Sequence, residues 1–419
     1  MKHLVVSGGR KLRGEVHIQG AKNSVLPMLA ATVLHRGVSV LEGCPHLSDV
    51  DTAVSILCEL GAKTSWQGHT LTVDASSLDC CAVPEPLMRQ MRSSVIFLGA
   101  LLARFGEAEL YYPGGCQLGP RPIDLHLRAL GELGAEITVE GGAIRAKAKK
   151  LRPAELTLDI ASVGATENAI LAATGAEGVT VIRNAAREPE IVDLQRFLRS
   201  LGVKIRGAGS SSITVEGLAA LHEGHYKVMP DRIVAATYLA AGAACGGEIR
   251  LNGAEEKRLL TVLAPLRAAG CEISCDREGI TLRRDRPLLA VPPIRTAIYP
   301  GFPTDAQAVL MAALLKSRGT TVFVENIFEN RYRHVDELMR MGADIRVEGR
   351  VAVVYGVERL QGADLLCTDL RGGAALAVAA LSAEGESILH EMHHIERGYE
   401  DLGGDLRALG AAVRYINRN

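Results

Sequence analysis

The stretch Met341-Gly342-Ala343-Asp344-Ile345-Arg346-Val347-Glu348-Gly349-Arg350-Val351-Ala352-Val353-Val354 reads as a helix end, a glycine, and two short strands joined by a turn. The same junction recurs at Leu60-Gly61-Ala62, Leu133-Gly134-Ala135, Leu201-Gly202-Val203, Ala269-Gly270-Cys271 and Leu409-Gly410-Ala411. Taken in chain order, its glycines are 73, 68, 68, 72 and 68 residues apart. A second series precedes short β-branched runs: Gly37, Gly106, Gly178, Gly247, Gly319 and Gly385, spaced by 69, 72, 69, 72 and 66. Two independent series sharing one period define six copies of a unit.

Each copy opens on polar residues and runs into an Ala/Leu-rich helix, such as Asn23 to His35 or Asp305 to Lys316. A glycine stops that helix, because a C-cap favours the left-handed conformation. A strand follows, as in Val38-Ser39-Val40-Leu41 or Thr320-Thr321-Val322-Phe323. A second helix, such as Val192 to Leu201, has apolar residues at helical spacing and ends at the glycine of the first series. Two strands close the unit, which is therefore βαβαββ. Solenoid repeats have periods of about 20–50 residues, and this period is longer, so each unit can form a face of its own. Six units predict two α/β domains of three repeats, with a boundary near His225 to Pro230. A cleft between two similar domains is a usual place for a ligand.

Hydrophobic content of 47% and charged content of 23% describe an ordinary globular chain. The net charge of −1 provides no field for nucleic acid. Residues 1–20 lack the apolar core of a signal peptide, and runs such as Val95 to Ala103 are too short to span a bilayer. A cytoplasmic location and no membrane partner are therefore expected. The nine cysteines (44, 58, 80, 81, 116, 245, 271, 275 and 367) show no metal-ligand spacing and are expected as reduced thiols.

The polar unit openings are Lys22-Asn23, Arg92, Thr166-Glu167-Asn168, Asp231-Arg232, Asp305 and Asp369-Arg371. Helix N-termini present free N–H groups and partial positive charge, so they bind anions. The plain alternative for Asp and Asn is N-capping, and for Lys and Arg a solvated surface charge. Recurrence at equivalent places in successive units favours convergence on one end of each domain.

Cys116 lies in Pro113-Gly114-Gly115-Cys116-Gln117-Leu118-Gly119-Pro120-Arg121-Pro122-Ile123-Asp124-Leu125-His126. Glycines, prolines and charges give it no apolar face to join, and Arg121 biases it toward thiolate. Both a chemical role and a plain loop cysteine fit that reading. His390-Glu391-Met392-His393-His394 matches H-E-x-x-H, but that motif needs a helix to align its histidines. Here it continues a strand, so no metal site is expected. Walker-type loops are absent.

With these motifs in view, the chain resembles the UDP-N-acetylglucosamine enolpyruvyl transferases (UDP-N-acetylglucosamine 1-carboxyvinyltransferases) nearly from end to end. The resemblance rests on Gly20-Ala21-Lys22-Asn23, the Cys116 loop, Ser162 to Asn168, Asn184 to Asp193, Pro303-Thr304-Asp305, Glu325 to Arg331 and Arg397-Gly398-Tyr399-Glu400. It implies two inside-out α/β barrel-like domains, each of three βαβαββ repeats with pseudo-threefold symmetry. Residues 22–229 would form the N-terminal domain, which carries the cysteine loop. Residues 1–21 plus 230–419 would form the C-terminal one.

The resemblance further implies transfer of the enolpyruvyl group of phosphoenolpyruvate to the 3-hydroxyl of UDP-N-acetylglucosamine, with release of phosphate. The reaction is an addition followed by an elimination, and it is the first committed step of peptidoglycan synthesis. Cys116 would be the general acid and Asp305 the base. Lys22, Arg121 and Arg397 would hold the phosphate, with Arg331 and Arg371 near the reacting end. Arg92, Arg121, Pro122, Ile123, Asp124, Leu125, Ser162, Val163, Gly164, Asp305 and Ile327 would bind the nucleotide sugar, and Asn23 would contact the substrates. The domains would close on binding, and fosfomycin would alkylate Cys116. No cofactor is implied, and the oligomeric state is left open. Ile160 stands where many members of the family have a lysine. The same chemistry on a shikimate-type acceptor, or a catalytically silent nucleotide-sugar-binding paralogue, remain as alternatives.

Overall fold

The computed structural model describes residues 2–114 and 122–417. Cys116 and Arg121 lie outside them. The described residues form two compact units, one of residues 2–19 and 230–417, the other of residues 20–114 and 122–229.

The repeat read from the glycines is built as six small sheets, five of four strands and one of three among the described residues. One sheet runs Ile294–Arg295, Thr320–Val324, Val351–Tyr355, Asp344–Glu348. Its first pair is parallel and its remaining pairs antiparallel. The parallel pair is joined through a central helix, as a crossover requires. The strands alternate buried and open residues, as in Thr320–Val324 and Glu386–His390. One face of each sheet thus covers helices while the other meets solvent.

Glycines 61, 134, 202, 270, 342 and 410 have φ of 98°, 94°, 95°, 101°, 93° and 87°. A side chain would be strained there, which is why glycine recurs where each second helix turns into its hairpin. Helix limits shift slightly from those expected. The first central helix is Lys22–Ala31, tightening to 3-10 geometry at Thr32–Leu34. The Asp305 helix is Thr304–Leu314, and the Val192 helix is Pro189–Ser200.

Beyond their polar first turns the central helices are buried on nearly all sides and mostly apolar, as in a helix enclosed by a core. In the 230–417 unit they are Arg232–Cys245, Thr304–Leu314 and Leu370–Ser382, and each packs against the other two. In the 20–229 unit they are Lys22–Ala31, Phe97–Phe105 and Val163–Ala173, with Phe97–Phe105 packed on both others. Alanine is frequent in these helices, and small side chains let helices approach closely.

Three strands distant in sequence from their partners complete the sheets. Leu12–His17 pairs parallel with Gly247–Asn252, and Lys2–Ser7 lies antiparallel between Glu386–His390 and Ala412–Asn417. Gly224–Lys227, at the end of the third repeat, returns to pair with Val38–Glu42 of the first. At the crossings, the Asp231 N–H donates to Gln19 O, and the Ala21 N–H donates to Met229 O at 2.7 Å. Gly20 and Ala21 accordingly pack with the 20–229 unit.

The thiols of half-buried Cys245 and buried Cys367 are pushed up to about 12 and that of buried Cys271 to about 11, in each case by desolvation, as expected for inert apolar fillers. Among the described residues no helix is long and apolar enough to cross a membrane.

Candidate active site

In the 230–417 unit the central helices begin together, and their first turns carry the predicted polar residues. Asp231 caps the first helix by accepting from the N–H groups of Ile233 and Val234 at 2.8 and 3.1 Å. Asp369 caps the third by accepting from Arg371 and Gly372 at 3.0 and 3.1 Å. Asp305 does not cap. Pro303 holds the N-cap position, Thr304 opens the helix, and Asp305 is its second residue with a free side chain.

That free carboxylate takes one arginine on each oxygen. Arg331 Nη2 donates to Oδ1 at 2.9 Å, and Arg371 Nη2 donates to Oδ2 at 3.0 Å. Both arginines are buried, Arg331 to 2% exposure, so the solvated-charge alternative does not apply to them. Asp305 keeps 28% of its side chain open. Burial alone would raise its pKa. Arg371 first, then Arg331, and more weakly Arg232, outweigh that and hold it well below the usual carboxylate range. His334, fully buried nearby, is pushed down by burial and so adds no charge at neutral pH.

Arg397 lies half-buried just beyond the 3-10 turn Met392–His394. Gln19 braces its segment: Nε2 donates to Gly398 O at 3.2 Å and Oε1 accepts from Glu400 N at 3.0 Å. Ile327 is exposed on the loop after Thr320–Val324. His390 ends a strand and Glu391 is left-handed, so His390 and His394 share no helix face.

The 20–229 unit gathers its own set. Lys22 opens the Lys22–Ala31 helix and is buried, with Nζ 2.5 Å from Asp49 Oδ2. Asn23 follows, half-buried. Arg92 opens a 3-10 turn leading into Phe97–Phe105 and donates to Pro113 O at 3.4 Å. The backbone there is pinned: the Gly114 N–H donates to Met88 O, and a Cβ on Gly114 would come within 2.1 Å of Arg89 O. Only glycine fits this close approach, immediately before the Cys116 loop.

Ser162 caps the Val163–Ala173 helix through Ala165 N at 3.4 Å, leaving Val163 and Gly164 in its first turn. Pro122 is exposed and Ile123 buried, Asp124 opens the Asp124–Glu132 helix from solvent, and Leu125 is half-buried. Ile160 is 61% exposed beside Ser162, so the chain has an open apolar group there. Glu167 is buried; burial first, then Glu190 and Glu188, push its carboxyl well above the usual range.

His126, quoted in the loop motif but given no role, packs against Gly164. Its Nδ1 is 3.0 Å from Asn168 Nδ2, and Asn168 Oδ1 accepts from Gly99 N at 2.6 Å. Because the amide donates, Nδ1 accepts, and a neutral ring carries its proton on Nε2. Asp49 and Gln19 were also missed; each acts through a partner 27 or more residues away in sequence.

Three-repeat α/β units built of small sheets around buried central helices, with arginines and a lysine at the helix N-termini, define the class. The chain belongs to the EPSP synthase (3-phosphoshikimate 1-carboxyvinyltransferase) family, which matches residues 6–406. Among its relatives, UDP-N-acetylglucosamine 1-carboxyvinyltransferase 2 of Caldanaerobacter subterraneus subsp. tengcongensis is 49% identical over 413 residues, 99% of both chains. UDP-N-acetylglucosamine 1-carboxyvinyltransferase of Dichelobacter nodosus is 47% identical over 417 residues, again 99% of both. The enolpyruvyl transferase NikO from Streptomyces tendae superposes with a TM-score of 0.89 at 28% identity, covering 100% of this chain and 99% of that one. EPSP synthase from Acinetobacter baumannii, at 17% identity and a TM-score of 0.78 with both chains fully covered, shares the fold.

Proposed function

We propose that this chain transfers the enolpyruvyl group of phosphoenolpyruvate to the 3-hydroxyl of UDP-N-acetylglucosamine and releases phosphate, opening peptidoglycan synthesis in a bacterial cytoplasm. The relatives' names support the reaction. The observation that carries it is the ionised Asp305 with an arginine on each oxygen at the start of a central helix.

In this reading the sugar hydroxyl oxygen bonds to C2 of phosphoenolpyruvate and gives its proton to Asp305. Cys116 delivers a proton to C3, forming a tetrahedral adduct. Loss of a C3 proton and departure of phosphate from C2 then restore the double bond in the product ether. Two arginines make Asp305 a weak base while they hold it. An anionic substrate that draws Arg331 or Arg371 away would restore its basicity at the moment of need. Lys22, Arg121 and Arg397 serve the phosphate, where charge-assisted bonds are strongest. Asn23, Arg92, Arg121 to Leu125, Ser162 to Gly164 and Ile327 serve the nucleotide sugar.

The test is phosphate release from phosphoenolpyruvate with UDP-N-acetylglucosamine, run beside shikimate 3-phosphate as acceptor. Cys116→Ala is expected to lose about 10²–10⁴-fold in kcat, the usual weight of a positioned acid. Equal rates for wild type and variant, or turnover only with the shikimate acceptor, would overturn the assignment.

A further inference from the structure

Glu325 sits at the end of the Thr320–Val324 strand and is 1% exposed. Four donors converge on its carboxylate. Oε1 accepts from Thr296 Oγ1 at 2.9 Å, from Ile327 N at 2.8 Å and from Phe328 N at 3.1 Å. Oε2 accepts from Thr304 Oγ1 at 3.0 Å. A buried carboxylate is costly unless its lone pairs are filled, and here they are filled by three separate chain segments. These are the end of Ile294–Arg295, the first residue of the Asp305 helix, and the loop that carries Ile327 and Arg331.

The bonds lead on to Asp305. Thr304 precedes it, and Thr304 O accepts from Arg331 Nη2 at 2.9 Å, the same nitrogen that reaches Asp305 Oδ1. The Thr296 side closes the loop further: Asn326 N donates to Thr296 Oγ1 at 2.8 Å, and Asn326 Nδ2 donates to Thr296 O at 2.9 Å. Glu325 touches neither Asp305 nor Arg331 directly, yet it fixes the backbones on which both stand.

We propose that Glu325 is a positioning residue for the enolpyruvyl transfer, a buried clasp that sets Arg331 and Ile327 against the helix carrying Asp305. The proposal rests on the functional reading above. Through Thr304, the clasp holds the aspartate in register with the arginine that tempers it. Slackening it leaves the chemistry's groups present but misaligned, and a misplacement of about 1 Å costs on the order of 100-fold.

Two variants test this with different demands on the fold. Glu325→Gln puts an amide donor among donors. Thr304→Val removes one hydroxyl at nearly constant shape, and Thr304→Ser returns it. In both loosened variants kcat for phosphate release should fall about 10–100-fold, and Thr304→Ser should recover most of the loss. Asp305 is faced by Arg331, Arg371 and Arg232. Weaker pairing with Arg331 raises its pKa, so the acid limb of the kcat profile should move to higher pH by about one unit. Amide exchange at Ile327 and Phe328 should quicken. An unshifted acid limb, with kcat lowered only in proportion to the folded fraction, would make Glu325 merely structural and overturn the clasp. A wild type that releases no phosphate would instead overturn the functional reading.

Discussion

Asp305 shows what a single side chain can carry once its helix has released it from capping. The sequence left two roles open, cap and base, because an acidic residue before an Ala/Leu run serves either. Pro303 decides between them by taking the cap position. The helix then begins one residue earlier and Asp305 points to the arginines. Neither partner was legible as such, since Arg331 lies 26 and Arg371 66 residues away. Replacing Asp305 by Asn leaves two buried guanidinium groups without their counter-ion, and stability should fall by about 3 kcal/mol. The pH dependence has a definite sign. A carboxyl whose folded pKa is depressed contributes stability that is full above its unfolded value near 3.9, and loses it as pH falls toward its folded one. The gap in Tm between wild type and Asp305→Asn should therefore stay open from about pH 5 to 8 and narrow below about pH 4. A gap independent of pH would show that the pairing is not electrostatic.

At the scale of the elements, the repeat was readable because glycine is demanded wherever a second helix reverses into its hairpin, and six left-handed glycines keep the period visible. What holds the elements to each other was not readable. Arg104, near the end of Phe97–Phe105, donates from Nη1 to Val33 O and His35 O at 2.9 and 2.8 Å. From Nη2 it donates to Ala75 O and Leu78 O at 2.9 and 3.0 Å. One guanidinium thus binds carbonyls from two stretches of chain about 40 residues apart in sequence. An arginine on the last turn of a helix otherwise reads as dipole compensation in solvent. Arg104→Met should keep the apolar stem, remove four hydrogen bonds and cost about 3 kcal/mol. That corresponds to a drop of roughly 6–12 °C in the melting of the 20–229 unit, measurable by calorimetry. An unchanged melting profile would assign the four bonds no net worth.

For the molecule as a whole, six repeats in two groups of three were evident from period alone. The period says nothing of the first seventeen residues, which only the resemblance assigned to the C-terminal domain, because Lys2–Ser7 and Leu12–His17 are short strands whose partners follow hundreds of residues later. Lys2–Ser7 is an inner strand, with Val5 opposite Ile388 on one side and Arg414 on the other. Val5→Pro removes a ladder N–H from such a strand, which sheets tolerate only at edges. Limited proteolysis should then cut within residues 230–417 while the 20–229 unit resists; equal resistance of both would show the strand to be dispensable. The same exchange sets an order of events at birth. Leu12–His17 leaves the ribosome about 230 residues ahead of Gly247–Asn252, its parallel neighbour. At about 5–20 residues per second the wait is on the order of 10–50 s. The earliest strands of this chain are thus among the last to find their places, and until then they travel as an unpaired leader, a natural client for whatever guards nascent polypeptides from sticking.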